Sequence, residues 1–130
     1  SRDVEVLHYN HGTGSHADKA TNLVREYCSA HNIFAVVGWN QDEMPVGVSA
    51  EAWWRKQRYE FFEYATTRTV VTAHHLGDAV ENWIFTSLNG NPFLIPHKRD
   101  QYLRPFLTTE KKDLVSWCTR KGVPIAHALQ

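Results

Sequence analysis

Two histidines and two acidic residues stand close together in the middle of the chain. His74 and His75 follow a short apolar run that begins at Val70, and Asp78 and Glu81 follow in a helical pattern. Residues three apart on a helix are neighbours, so both carboxylates should lie on one side of its first turns. Two such acids can hold Mg²⁺, or they can bind an ammonium group. They can also form a solvated helix start that the helix dipole favours.

Two other groups of polar residues could take part in chemistry, one in a loop after a predicted strand and one on a predicted helix. A glycine-containing loop follows the first predicted strand, and glycine lets a backbone approach a ligand. Arg55 and Arg58 lie three apart on the second predicted helix, where their planar forks suit phosphate or carboxylate. The alternative for these arginines is a solvated basic face. Trp53 and Trp54, beside them, fit core or subunit packing better than base stacking.

The elements that must position these residues alternate along the chain. The patterns predict strands at Val4–Tyr9, at Ile33–Gly38 and from Val70, and an extended segment at Tyr102–Leu107. They also predict four helices. The first runs from Ser15 to His31–Asn32, the second begins at a Ser49 cap, the third follows the strand at Val70 and ends at Leu88, and the fourth runs from a Thr108 or Thr109 cap to Gly122. This alternation predicts an α/β fold, with a Rossmann-like parallel sheet flanked by helices. Ligands bind at the carboxyl ends of strands in such sheets, so we expect the histidines, acids and arginines at one edge.

Length and composition fit one modest core, and we expect a single domain over residues 1–130. Lysine plus arginine equals aspartate plus glutamate at 14 each, so no global charge suggests nucleic acid. A local basic turn at His97–Arg99, together with Arg104, is a candidate phosphate contact or a plain solvated turn. Cys28 and Cys118 form no CxxC pair and are expected as buried thiols in a reducing cytosol. No apolar run could span a membrane, so a cytoplasmic protein is expected.

Four local patterns, in order, carry a family resemblance over nearly the whole chain. His8-Tyr9-Asn10-His11-Gly12 resembles an "HxxHG" loop, and the helix from Glu51 to Tyr59 resembles "EAxAR..RY". Residues 72–82 resemble "TAHHxDDxxET", and residues 103–107 resemble "IRPLL". The chain is thereby similar to the PP-loop (N-type) ATP pyrophosphatases, in particular to the catalytic domain of the tRNA(Ile)-lysidine synthetases.

The resemblance implies a ligase reaction with ATP, Mg²⁺, a tRNA and L-lysine, and it leaves a homodimer open. ATP would adenylate the C2 oxygen of the wobble cytidine, and the amine of lysine would displace AMP. The implied catalytic residues are Asp78, Glu81, Arg55, Arg58 and His75, with Asp78 and Glu81 as the metal ligands. The implied nucleotide-binding residues are His8, Asn10, His11, Gly12 and His74.

The sequence also departs from the family pattern. The 130 residues contain no "SGGxDS" phosphate loop, and they begin where the second strand of the family begins. We therefore expect the N-terminal strand, loop and helix to be missing, and no ATP hydrolysis unless that loop is supplied upstream. Gly77 replaces the first aspartate of "DD", and Asn82 replaces the threonine.

Three alternatives remain open from sequence. A tRNA cytidine thiolase-like enzyme usually carries the CxxC cysteines that this sequence lacks. A non-catalytic PP-loop remnant would bind a nucleotide or a partner protein. A metal-dependent hydrolase would use the histidines with Asp78, although the spacing matches no established zinc pattern such as HExxH. For His74, a buried hydrogen-bonded ring is as acceptable as a ligand contact.

Overall fold

The computed structural model describes residues 4–40 and 42–125. These residues form two compact units, one ending at Thr67 and the other spanning Arg68–Ile125. Each unit has its own sheet and its own pair of helices. The ends of the predicted domain, residues 1–3 and 126–130, lie outside the described residues, so the single domain over 1–130 stays a prediction.

The first unit is a parallel strand pair with a helix after each strand. It contains β1 (Glu5–Asn10), α1 (Ser15–Ala30), β2 (Phe34–Trp39) and α2 (Ala50–Ala65). β1 and β2 pair in parallel, in a register that runs from Glu5 opposite Phe34 to Asn10 opposite Trp39. α1 packs on both strands, and α2 packs on β1. This arrangement is the α/β architecture that the alternating patterns predict.

The buried residues of α1 and the residues at its two ends differ in detail from what the sequence predicts. Cys28 is buried as expected, and the most buried residue of the helix is Thr21, a polar residue on the same side. His31 is exposed, because it lies at the C-terminal cap, where its ring stacks on Tyr27 at 4.2 Å. The N-cap is Gly14 instead of Ser15, because the Gly14 carbonyl accepts the first helical bond from the Asp18 amide.

Gly38 in β2 leaves the space that the rings of Phe61 and Tyr9 occupy. A Cβ built there would lie 2.6 Å from Cδ1 of Phe61 and 2.9 Å from Cδ1 of Tyr9. We expect Gly38→Ala to lower the free energy of unfolding by about 1–3 kcal/mol, because overpacking forces both rings from their positions. Urea denaturation measures this loss. Phe61→Leu in the same chain should recover part of it, and equal losses with and without Phe61→Leu would contradict the assignment.

The second unit combines a short parallel pair with a hairpin and two helices. Its elements are β3 (Val70–Val71), α3 (Leu76–Leu88), β4 (Lys98–Arg99), β5 (Tyr102–Leu103) and α4 (Lys111–Lys121). β3 pairs with β5 in parallel, and β4 pairs with β5 antiparallel. With the parallel pair of the first unit, this confirms the predicted α/β class with parallel strands flanked by helices. Among the described residues, no helix is long and apolar enough to cross a bilayer.

Several predictions for the second unit were wrong. The buried run at Val70 is a strand of only two residues, and Val71 is 60% exposed because successive side chains point to opposite faces. Glu110, not Thr108 or Thr109, occupies the N-cap of α4. The Thr109 carbonyl instead accepts the Leu76 amide at 2.9 Å, and this bond ties the residue to the start of α3.

The basic segment predicted as a turn is part of a hairpin. Lys98 and Arg99 form its first strand, and the turn itself lies at Asp100, whose φ of 53° is left-handed. Arg104 is only 5% exposed, and its Nη1 donates to the Pro96 carbonyl at 3.2 Å, so it is not a surface phosphate contact. Cys118 is partly exposed, which corrects the expectation of two buried thiols.

Candidate functional site

The loop after β1 is held by a buried polar network centred on Asn10. The side chain of Asn10 is 1% exposed, and its Nδ2 donates to Asp18 Oδ1 and to Thr21 Oγ1, each at 3.0 Å. Its Oδ1 accepts the Gly12 amide at 2.8 Å. Because both ends of the amide are engaged within the protein, Asn10 sets the path of the loop at Gly12, where φ is +72°.

Thr21 completes this network from α1. Its hydroxyl is fully buried and donates to the Ala17 carbonyl at 3.0 Å, and it lies 2.9 Å from Nε2 of His8. A hydroxyl has a single hydrogen, so when that hydrogen points to Ala17, His8 must donate through Nε2–H. Sequence reasoning missed Thr21 and Asp18. The detectable signal was a threonine on the apolar side of the helix that follows a polar loop.

Thr21→Val should destabilise the first unit, because the isosteric change leaves buried groups of Asn10 and His8 without their partner. We expect a loss of about 1–3 kcal/mol in the free energy of unfolding, measured by urea denaturation. Thr21→Ser keeps the hydroxyl and serves as the matched control. Equal stability of the valine and serine variants would show that the network contributes nothing.

His11 lies at the end of the same loop and faces aromatic rings. Its ring centroid is 5.1 Å from that of Tyr9 and 5.8 Å from that of Trp54. Its Nδ1 is buried, and among the described residues it has no hydrogen-bond partner. A buried polar atom without a partner is costly, so this nitrogen is an unsatisfied hydrogen-bonding group at the end of the loop.

Two arginines of α2 accompany this aromatic cluster. The guanidinium carbons of Arg55 and Arg58 lie 5.1 Å and 5.6 Å from the ring centroid of Tyr59. The charge of Arg58 also acts on His11, whose pKa is lowered by burial, then by Arg58 and then by His8. His11 therefore lies within range of the charges of Arg58 and His8. We call His11, Trp54, Arg55, Arg58 and Tyr59 the His11 cluster.

Acid should weaken the first unit through both histidines. Burial and then Arg25 lower the pKa of His8 below 6.5, and the pKa of His11 is lowered as described above. A histidine with a lowered folded pKa contributes stability that is fully present above pH 6.5 and is lost as the pH falls through the folded value. We expect the urea midpoint of unfolding to decrease as the pH is lowered from 7.5 to about 5. His8→Gln should make that decrease smaller, and His31→Gln, a change at an exposed histidine, is the control. An unchanged pH dependence in His8→Gln would contradict this expectation.

In the second unit, His75 and Asp78 begin α3 as a reciprocal cap. Nδ1 of His75 accepts the Gly77 amide at 3.1 Å, and Asp78 Oδ2 accepts the His75 amide at 2.8 Å. Nε2 of His75 also lies 3.5 Å from Asp78 Oδ2. His75 and Asp78 are therefore in contact, and Oδ1 of Asp78 is the carboxylate oxygen outside these contacts.

Gly77, which stands where the family pattern has an aspartate, lies close to the His75 ring. A Cβ at residue 77 would lie 2.9 Å from Cε1 and 3.1 Å from Nδ1 of His75. A larger residue would thus push the His75 ring from its capping position. Glycine at 77 and histidine at 75 are mutually consistent, although the departure removes one carboxylate from the family pattern.

Two other predicted site residues, His74 and Glu81, and the neighbouring Asn82 have clear local positions. Nδ1 of His74 lies 2.7 Å from Thr72 Oγ1, so this ring is hydrogen-bonded within its own loop. Glu81 is exposed one turn after Asp78 on α3. Nδ2 of Asn82 donates to the Phe93 carbonyl at 2.9 Å, which fixes the segment after α3.

The donor chemistry in the second unit suits a hard cation that keeps much of its water. Asp78 and Glu81 supply two carboxylates, and Mg²⁺ in proteins is commonly held by one or two. Among the described residues, no group of three or more His, Cys, Asp or Glu side chains could enclose a metal ion. The structure thus gives no support to a tetrahedral zinc site built from these histidines.

Comparison with known proteins gives the same family on both units. The model of the PP-loop domain family matches residues 1–127. The chain is 27% identical over 134 residues to the tRNA(Ile)-lysidine synthase of Malacoplasma penetrans, covering 91% of this chain and 45% of that protein. It is 26% identical over 140 residues to the Francisella philomiragia enzyme of the same name (95% and 34%), and 27% identical over 139 residues to that of Staphylococcus aureus strain COL (95% and 32%).

The chain spans less than half the length of each of these relatives. The family match, in contrast, covers nearly all 130 residues. It includes the loop after β1, the arginines of α2 and the His75–Asp78 cap. The chain belongs to the PP-loop domain family.

Proposed function

We propose that the chain acts in ATP-dependent modification of the wobble cytidine of a tRNA, as a lysidine synthetase-like ligase. The observation that carries the nucleotide part is the buried Nδ1 of His11, which has no hydrogen-bond partner among the described residues and lies within range of the positive charge of Arg58. The names of the three relatives support the tRNA and lysine part.

The residues of the first unit suit the nucleotide. Asn10 and Thr21 hold the loop in a fixed path, so the backbone at Gly12 can approach a ligand without first becoming ordered. His11 offers one buried nitrogen for a directed hydrogen bond. Arg58 and Arg55 offer planar guanidinium groups for phosphate oxygens, and both guanidinium groups make cation–π contacts with the ring of Tyr59.

The acids of the second unit suit a cation. Asp78 and Glu81 would hold Mg²⁺, or they would bind the ammonium group of lysine. In the proposed reaction, the C2 oxygen of cytidine bonds to the α-phosphorus and pyrophosphate leaves. The lysine amine then bonds to C2, and that oxygen leaves as part of AMP. His75 holds Asp78 through the cap and is therefore proposed as a positioning residue.

The test is the release of pyrophosphate from ATP by the longest natural form of the protein, with Mg²⁺, lysine and unmodified tRNA. We expect release that requires the tRNA, and mass spectrometry of the digested tRNA should show a cytidine carrying one lysine. Release without any added tRNA, or a tRNA unchanged in mass after release, would overturn the proposal.

A second candidate is a PP-loop protein that binds nucleotide without catalysis. Two observations favour it: Gly77 replaces one family carboxylate, and Asp78 is already engaged in the cap of α3. In that case calorimetry should detect binding of Mg-ATP, while no pyrophosphate is released under any tRNA condition.

A further inference from the structure

The neutral chain is divided into halves of opposite charge. Residues 1–67 contain nine acidic and six basic side chains, which gives a net charge of −3. Residues 68–125 contain eight basic and five acidic side chains, which gives +3. Of those eight, only Arg104 is buried; the exposed ones are Arg68, Lys98, Arg99, Lys111, Lys112, Arg120 and Lys121. The second unit is therefore the part of the chain that suits a polyanion.

One face of α4 combines exposed cations with an exposed aromatic ring. Trp117 is 49% exposed, and Arg120 and Lys121 follow it at the three- and four-residue spacings that place side chains on one helix side. We call these three residues the Trp117 face. Asp113 lies one turn before Trp117, and at the start of the helix Lys112 pairs with Glu110 at 3.2 Å.

A structural explanation covers only part of this face. Cations in the last turn of a helix complement its dipole, and this accounts for Arg120 and Lys121. It does not account for an indole ring that leaves about half of its surface in water, because large aromatic rings are usually buried. A ligand with both phosphates and planar bases would use all three side chains.

We propose that the Trp117 face binds a single-stranded segment of RNA, with a base stacked on Trp117 and phosphates against Arg120 and Lys121. The proposal rests on the proposed function and names the kind of tRNA segment that this helix contacts. Bases in a duplex are already stacked and their faces are covered, so an exposed indole selects a loop or an end.

Fluorescence anisotropy with labelled single-stranded RNA of about 12 nucleotides tests this proposal. Trp117→Ala should weaken binding about 5- to 100-fold, and Trp117→Phe should retain most of the affinity. Arg120→Gln and Lys121→Gln should each lower the slope of log affinity against log salt by about 1. Lys19→Gln, an exposed cation of α1, is the matched control and should change neither quantity.

A duplex RNA of the same length separates stacking from simple charge. Its binding should respond to Arg120→Gln and not to Trp117→Ala. The proposal is overturned when the wild-type chain binds no single-stranded RNA, when folded Trp117→Ala binds as tightly as wild type, or when both RNAs lose affinity equally in that variant. Circular dichroism and urea midpoints verify that each variant is folded.

The outcome is separable from that of the proposed function. RNA binding that depends on Trp117, without any tRNA-dependent pyrophosphate release, would reject the proposed ligase activity and support RNA binding by the Trp117 face. Pyrophosphate release that is unchanged in Trp117→Ala and in Arg120→Gln would support the proposed ligase activity and reject RNA binding by the Trp117 face.

Discussion

Asp78→Asn is expected to lower tRNA-dependent pyrophosphate release about 100- to 1000-fold while leaving the fold almost intact. The amide oxygen can still accept the His75 amide, so the cap of α3 survives. The negative charge needed for Mg²⁺ or for lysine is lost, and electrostatic groups at a reaction centre typically contribute this much to the rate. Initial rates of pyrophosphate release, measured beside urea midpoints, test both parts.

Asp78→Ala separates the two roles of this carboxylate. It removes the charge and the Asp78 half of the cap, so it should match the activity of Asp78→Asn but cost about 1 kcal/mol more in stability. Asp113→Asn, in the first turn of α4, is the matched control for loss of an acid near a helix start. Full activity in Asp78→Asn would remove this residue from the proposed reaction.

Arg58→Gln is expected to weaken the binding of Mg-ATP about 10- to 100-fold. A charge-assisted hydrogen bond contributes about 1.5–3 kcal/mol, and this variant removes the guanidinium whose charge acts on His11. Isothermal titration calorimetry measures the affinity. The same change should raise the pKa of His11, because the positive charge of Arg58 is one of the causes that lower it.

Lys56→Gln provides the control on the same helix. Lys56 is exposed and pairs with Glu60 at 3.9 Å, so its loss removes an equal charge away from the His11 cluster. We expect wild-type affinity in that variant. Equal weakening in Arg58→Gln and Lys56→Gln would show that only the overall charge of α2 matters.

Much of the architecture could be predicted because hydrophobic periodicity and caps are local. The alternation of strands and helices, the Ser49 cap of α2 and the Gly122 end of α4 could all be predicted from neighbours in sequence. The exposed Val71 and the buried Arg104 could not, because burial depends on which face a partner covers. Arg104 looked like a surface cation by composition, yet the Pro96 carbonyl holds it inside.

The candidate site shows the same division. Candidate residues of the recognisable patterns, such as His11 and Arg58, could be named from sequence, and in the structure the charge of Arg58 acts on His11. The residues that hold them could not, because the network joins Asn10 to Thr21 across eleven positions of chain. The cap function of His75 was also hidden, since it depends on the space left by Gly77.

The central claim is that a nucleotide bonds to Nδ1 of His11, and nitrogen-15 NMR of the histidine rings tests it most directly. On titration with Mg-ATP, we predict that the Nδ1 resonance of His11 moves to the range of a hydrogen-bonded nitrogen, while that of His31, which contacts the Tyr27 carbonyl, stays unchanged. A His11 resonance that does not move at saturating Mg-ATP would contradict the account.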